Sequence, residues 1–253
     1  DSENPNGYYN RGLLYAKLEN YNDALFDFSK AIELDAKDPD SFNNRGNVYK
    51  ALGRIEDAIS DYTRCVRIDP DYAGAYNNRG DAYKSLDNFE GAIADYTRSI
   101  RIEDNNPYSY FKRAETHNSL GNTQEAIDDY TSSIFFKSKF DKMTYIWACY
   151  ARSKLFYNIK EYQKSIVDLT ECINLFPSPQ FYIARASTYT TLERYEESIS
   201  DFTECIKLEP SATAYWGRGF AKAKMGYSFC GDIKSACDLG SEKCCEWFSA
   251  ECQ

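Results

Sequence analysis

The segment Asn10-Arg11-Gly12 recurs as Asn44-Arg45-Gly46 and Asn78-Arg79-Gly80, each copy 34 residues after the last. It continues in weaker form as Arg113-Ala114, Arg152-Ser153, Arg185-Ala186 and Arg218-Gly219, at spacings of 34, 39, 33 and 33. A fixed period of this length restricts a chain to stacked supersecondary units, because one such unit is too small to bury its own apolar face. Seven units fit within the 253 residues. Twelve positions after the small residue stands a second one in the first six units: Ala24, Ala58, Ala92, Ala126, Ser165 and Ser198. Four further on comes a large residue, Phe28, Tyr62, Tyr96, Tyr130, Leu169 or Phe202.

The spacing inside a unit is helical. Tyr76, Gly80 and Tyr83 share one face of a helix, and Ala92, Ile93, Tyr96 and Ile100 form a second stripe. Turn signals such as Leu52-Gly53-Arg54 and Leu120-Gly121-Asn122 separate the two. Each unit therefore reads as a pair of helices that approach closely at their small residues.

This pattern resembles the tetratricopeptide repeat family over about residues 5 to 240. Arg stands where the family usually has Leu before the small residue, in all seven units. The resemblance implies an all-α fold, a right-handed α-α superhelical solenoid of about seven helix-turn-helix units. The units fall at about 5–38, 39–72, 73–106, 107–143, 144–178, 179–211 and 212–240, and a C-terminal capping helix follows over 241–253. Between the fourth and fifth units five residues are added within Phe135 to Met143, which predicts a lengthened helix or an altered turn.

Charge repeats with the same period. Beside the seven arginines runs an equally regular Asp27, Asp61, Asp95, Asp129, Asp168 and Asp201, with Asp232 in the seventh unit. A charge repeated beside the core has to be paired, because an isolated buried ion is costly. The expectation is an Arg-Asp ladder, architectural and without chemistry. With those pairs cancelling, the net charge of −9, from 39 acidic and 30 basic residues, belongs to the positions that do not repeat. An acidic excess of this kind gives no electrostatic support to nucleic-acid binding. No apolar run reaches the roughly 18 residues that read as a membrane span.

The family resemblance further implies that the first helices line a groove. In the early units the positions that would face it are rich in amides, Asn10, Asn43, Asn44, Asn47, Asn77 and Asn78, edged by Lys50, Lys84 and Lys112. A row of Asn can grip an extended peptide backbone, since each offers a donor and an acceptor; a merely solvated face is the competing reading. The later units carry Phe111, Trp147, Tyr150, Tyr157, Ile183, Trp216 and Phe220 at comparable positions, where rigid aromatics serve as binding anchors or as packing between units. Some family members clamp a C-terminal carboxylate. Asn47, Asn78 and Lys112 match that clamp, whereas Asn43 and Tyr108 stand where Lys is expected, which speaks against this ligand.

Of nine cysteines, Cys230, Cys237, Cys244, Cys245 and Cys252 fall in the last 24 residues. Buried thiols are the favoured reading, and a Cys237–Cys245 disulfide, similar in spacing to those of secreted cysteine-rich solenoids, is the alternative. Metal binding has no C-x-x-C pair and no neighbouring His to support it. The compartment stays open, the cytoplasm slightly favoured over an extracytoplasmic address.

His117, the one histidine, stands where other units have Tyr15, Tyr49, Tyr83 and Tyr189, so it reads as a packing residue. No phosphate-binding loop or nucleophile elbow is present. The expected function is a non-catalytic scaffold or adaptor that holds a protein or peptide segment in the groove, without cofactor or metal. A self-assembling solenoid, hence a homo-oligomer, and a secreted cysteine-containing repeat protein are the alternatives.

Overall fold

The computed structural model describes residues 4–136 and 141–252, and in them fifteen α-helices and no strand. The chain divides into two compact units, Asp1–Phe140 and Asp141–Gln253. The first holds α1 (Pro5–Lys17), α2 (Tyr21–Leu34), α3 (Pro39–Ala51), α4 (Ile55–Ile68), α5 (Ala73–Ser85), α6 (Phe89–Ile102), α7 (Pro107–Ser119) and α8 (Thr123–Phe135). The second holds α9 (Lys142–Asn158), α10 (Tyr162–Leu175), α11 (Pro179–Thr191), α12 (Tyr195–Leu208), α13 (Ala212–Lys224), α14 (Cys230–Asp238) and α15 (Glu242–Glu251).

Local chemistry sets the helix ends. Pro5, Pro39 and Pro107 occupy the first turn, where a missing N–H costs nothing, and Asn4, Asp38 and Asn106 before them accept backbone N–H groups. After each odd-numbered helix from α1 to α13 one residue takes a left-handed conformation, at Glu19, Gly53, Asp87, Gly121, Lys160, Glu193 and Gly226. After α3 the Gly53 N–H donates to the Lys50 carbonyl at 3.0 Å and the Arg54 N–H to that of Tyr49 at 2.9 Å, which closes the helix and turns the chain back.

The two helices of a pair meet at the repeated small residue. A Cβ on Gly12, Gly46 or Gly80 would lie within 3.0 Å of the ring of Phe28, Tyr62 or Tyr96 respectively, so the ring packs directly on bare helix backbone. Ala24, Ala58, Ala92 and Ala126, on the partner helices, are fully buried.

The Arg-Asp ladder is present at all seven steps. Arg11–Asp27, Arg45–Asp61, Arg79–Asp95, Arg113–Asp129, Arg152–Asp168, Arg185–Asp201 and Arg218–Asp232 close at 2.6–2.8 Å. Both carboxylate oxygens accept, as with Arg79 Nε and Nη2 on Asp95. The remaining guanidinium nitrogen reaches back to a hydroxyl on the previous pair: Ser29, Thr63 and Thr97 in the first unit, Thr170 and Thr203 in the second. One side chain thus ties three helices together.

At the junction marked by the sequence, residues 137–140 of the inserted stretch lie outside the described residues. Helix α9 has 17 residues against 13 in α7 and α11, and it begins at Lys142, two residues ahead of the predicted boundary. Asp141 explains that start, since its carboxylate accepts the N–H groups of Met143 and Thr144 at 3.0 Å. The extra turn, residues 142–145, adds the buried Tyr145.

The C-terminal end departs from the reading as buried thiols. Cys237 is bonded to Cys245 and Cys230 to Cys252, with Cα separations of 4.7 and 5.6 Å, and only Cys244 of this group is a buried free thiol. The second pairing joins residues 22 apart, which no spacing signal marked. Helices α14 and α15 cover α13 through Ile233, Ala236 and Cys244, packed with Trp216, Phe229, Trp247 and Phe248. Cys65, Cys172 and Cys205 are fully buried thiols.

Candidate functional site

In the first unit the predicted amide row lies on α1, α3 and α5. Asn43 and Asn77 are buried. Asn78 Nδ2 donates to Asn43 Oδ1 at 2.9 Å, and Asn77 Nδ2 to Ser109 Oγ at 2.9 Å. Asn77 Oδ1 is buried without a hydrogen-bond partner. Asn44 Nδ2 donates to Tyr9 Oη at 3.1 Å and to its own helix at the Asp40 carbonyl, while Asn47 Oδ1 accepts the Tyr62 hydroxyl at 2.8 Å. Asn10 is exposed. The row is therefore partly a seam that joins neighbouring first helices.

The lysines beside it are paired. Lys50 Nζ lies 3.7 Å from Asp81, and Lys84 and Lys112 share Glu115 at 3.1 and 3.3 Å. Asp81 also accepts the hydroxyls of Tyr96 and Tyr108, at 2.8 and 2.7 Å. Burial, and then this carboxylate, push both phenols well above the ordinary tyrosine range, so they stay neutral donors. Asp81 and Glu115 were not singled out from the sequence. The signal available was positional, since both stand two residues past the repeated Arg, as Asn47 does.

In the second unit the aromatics divide. Trp147, 42% exposed, meets Tyr150 edge-on at 5.9 Å, and Tyr150 meets the buried Phe181 at 5.0 Å. Lys154 Nζ sits 4.5 Å from the centre of the Tyr150 ring. Ile183 is half-buried and packs against the core residues Ala186, Phe202, Cys205 and Ala214. Trp216 stacks on Phe220 at 5.6 Å and is also held by the C-terminal helices. Helix α9 and its neighbours also line a cavity of about 230 Å³, open to the surface, beside Lys154 and Tyr157.

Family models described as tetratricopeptide repeat match residues 5–38, 28–60, 73–106 and 179–211, and one described as TPR repeat matches residues 46–87. The chain belongs to the tetratricopeptide repeat family. No curated protein matches it. Among solved structures, this tetratricopeptide repeat protein is similar to Pseudomonas aeruginosa pilF, at 15% identity and a TM-score of 0.65 over 87% of this chain and 97% of that one. It is similar to YrrB, titled a TPR protein with an unusual peptide-binding site, at 17% identity and a TM-score of 0.63 over 72% and 92%. A tetratricopeptide repeat protein from Parabacteroides merdae matches at 18% identity and 0.62 over 97% and 96%. These likenesses show the all-α superhelical repeat fold.

A tetratricopeptide repeat protein of this composition offers hydrogen bonds and apolar contacts along its first helices. His117 is half-buried, with Nε2 4.0 Å from Asp129, beside the Arg113 step of the ladder. Among the described residues no group of three or more His, Cys, Asp or Glu is placed to hold a metal ion, and no helix is long and apolar enough to cross a membrane.

Proposed function

We propose that this tetratricopeptide repeat protein is a non-catalytic scaffold or adaptor that binds an extended peptide or protein segment along its first-helix faces. The family and its fold are those of protein-interaction modules. The observation that carries the finer reading is the half-used amide row. Asn44 and Asn78 donate within the chain and, among the described residues, keep a carbonyl oxygen without a partner, while Asn47 accepts and keeps its NH₂. All three are partly exposed. Acceptors and donors fixed in this way suit a peptide backbone, and the immobilised amides lose little entropy on binding. The second compact unit has a rigid apolar surface of its own in Trp147 and Tyr150.

Selection of peptides from a displayed random library against the intact protein tests this reading. Selected peptides should lose at least about tenfold in affinity, or ~1.4 kcal/mol, on the Asn44→Ala/Asn78→Ala/Trp216→Ala variant. Peptides indifferent to that variant would move the site elsewhere.

A further inference from the structure

Tyrosine at one repeat position does two things at two steps of the first unit, in Tyr62 and Tyr96. Its ring packs on the small residue of the first helix, and its hydroxyl crosses to the inner face: Tyr62 donates to Asn47 and Tyr96 to Asp81, each at 2.8 Å. In the second unit the same position in α10 holds Leu169, which is shorter and has no hydroxyl. The residue two past the repeated Arg is Lys154, and it is exposed. Where the end of a tyrosine ring would lie there is the cavity of about 230 Å³, lined by Ser153, Lys154, Tyr157, Leu169, Ala184 and Thr188 among others. A second cavity, of about 280 Å³, lies between Ala16, Phe28 and Val48, at the one step of the first unit where phenylalanine replaces tyrosine.

The lining of the first cavity is more apolar than its composition. Ser153 Oγ donates to the Tyr150 carbonyl at 2.7 Å and Thr188 Oγ1 to that of Ala184 at 2.8 Å, so both hydroxyls are spent on their own helices. With these spent, the surface toward the space is mainly apolar, from Leu169, Ala184 and Tyr157, beside the small polar side chains of Ser165 and Ser187 and the Asn158 amide. An apolar cavity of about 150 Å³ already accommodates benzene, so this one has room for a phenyl ring or a leucine side chain. Tyr157, 37% exposed, and Lys154 stand at its mouth.

We infer that this cavity takes one bulky apolar side chain, phenylalanine or leucine, from an extended peptide whose next residue is acidic and meets Lys154. This rests on the reading of the first-helix face as a peptide-binding surface. The ring replaces the missing tyrosine end, and the acidic neighbour meets Lys154 at the rim.

The test uses the intact ¹⁵N-labelled protein and three blocked tetrapeptides, Ala-Phe-Asp-Ala, Ala-Ala-Asp-Ala and Ala-Phe-Lys-Ala, followed by amide chemical shifts. The first should bind with a Kd on the order of 1 mM and shift Ser153, Leu169, Ala184 and Thr188. The alanine peptide should be at least about tenfold weaker and the lysine peptide about two- to fivefold weaker, the latter gap closing with salt. Leu169→Tyr restores the residue that the repeat carries elsewhere, and Ser187→Phe plugs the lining from half-buried surface; each should abolish these shifts without lowering the melting temperature. Equal binding of the alanine peptide, shifts that survive both variants, or no shifts at these residues up to ~10 mM would overturn the inference. Library-selected peptides that stay sensitive to the Asn44/Asn78/Trp216 variant but indifferent to Leu169→Tyr would overturn the pocket and leave the binding face standing.

Discussion

A methyl group placed on Gly46 would stand 2.7 Å from Cε1 of Tyr62, whose ring lies against α3 and whose hydroxyl donates to Asn47. The glycine is there for close approach, at a cost in helix propensity of about 1 kcal/mol. Gly46→Ala should therefore destabilise by about 1–3 kcal/mol net, as overpacked cores do. Gly7→Ala, with nothing within 4 Å of the added carbon, should stabilise by about 0.5–1 kcal/mol. Urea midpoints compare the two, and a stabilising Gly46→Ala would refute the packing account.

The ladder makes a sharper demand. Asp95 is buried and accepts two hydrogen bonds from Arg79, each at 2.7 Å. Arg79→Ala leaves that carboxylate buried and unpaired, and the expected loss is about 3–5 kcal/mol. Arg79→Met combined with Asp95→Leu should recover most of it, since an apolar pair of similar volume removes the desolvation cost. The exposed Arg54–Asp57 pair, broken the same way, should cost under about 1 kcal/mol. Equal losses at the two sites would count against the burial argument.

Asp232 closes the seventh step with two cations, Arg218 at 2.6 Å and Lys222 at 2.9 Å. Burial pushes its carboxyl up, but the hydrogen bonds and charges of Arg218 and Lys222 outweigh it and hold the group below the ordinary aspartate range. A depressed carboxyl contributes stability that is complete above its unfolded value of about 3.9 and is lost as pH falls through the folded value. Hydrogen-exchange protection factors in α13 and α14, taken relative to the intrinsic rate at each pH, should fall below about pH 4. Asp232→Asn should lower protection at neutral pH and flatten this acid dependence; an unchanged acid slope would assign it to other groups.

Cys230–Cys252 and Cys237–Cys245 leave five free thiols. Alkylation of the denatured, unreduced protein should block five cysteines, and nine after reduction. The larger loop of 22 residues implies a loss of about 3 kcal/mol on reduction, read as melting of α14 and α15 ahead of the rest. Nine reactive thiols without reductant would show that the pairs do not form, and such bonds persist only in an oxidising environment.

The sequence by itself determined what repeats. Asp follows Arg by 16 residues in the first six units, and a helix of fixed pitch followed by a fixed turn returns that distance to the same place each time, so the helix pairs and the ladder were both legible. The same regularity showed where the pattern breaks, at the stretch before α9 and in the cysteine-rich tail. Tertiary structure alone decided which of the repeated polar groups are spent. Asn43 meets Asn78, Asn77 meets Ser109 and Lys84 meets Glu115 across separations of 31 to 35 residues, between helices whose distance depends on packing rather than on local code. Packing likewise joined Cys230 to Cys252 and left space beside Leu169. A substitution from tyrosine to leucine reads as conservative along the chain, and only the neighbouring helices show that nothing moved in to fill the volume.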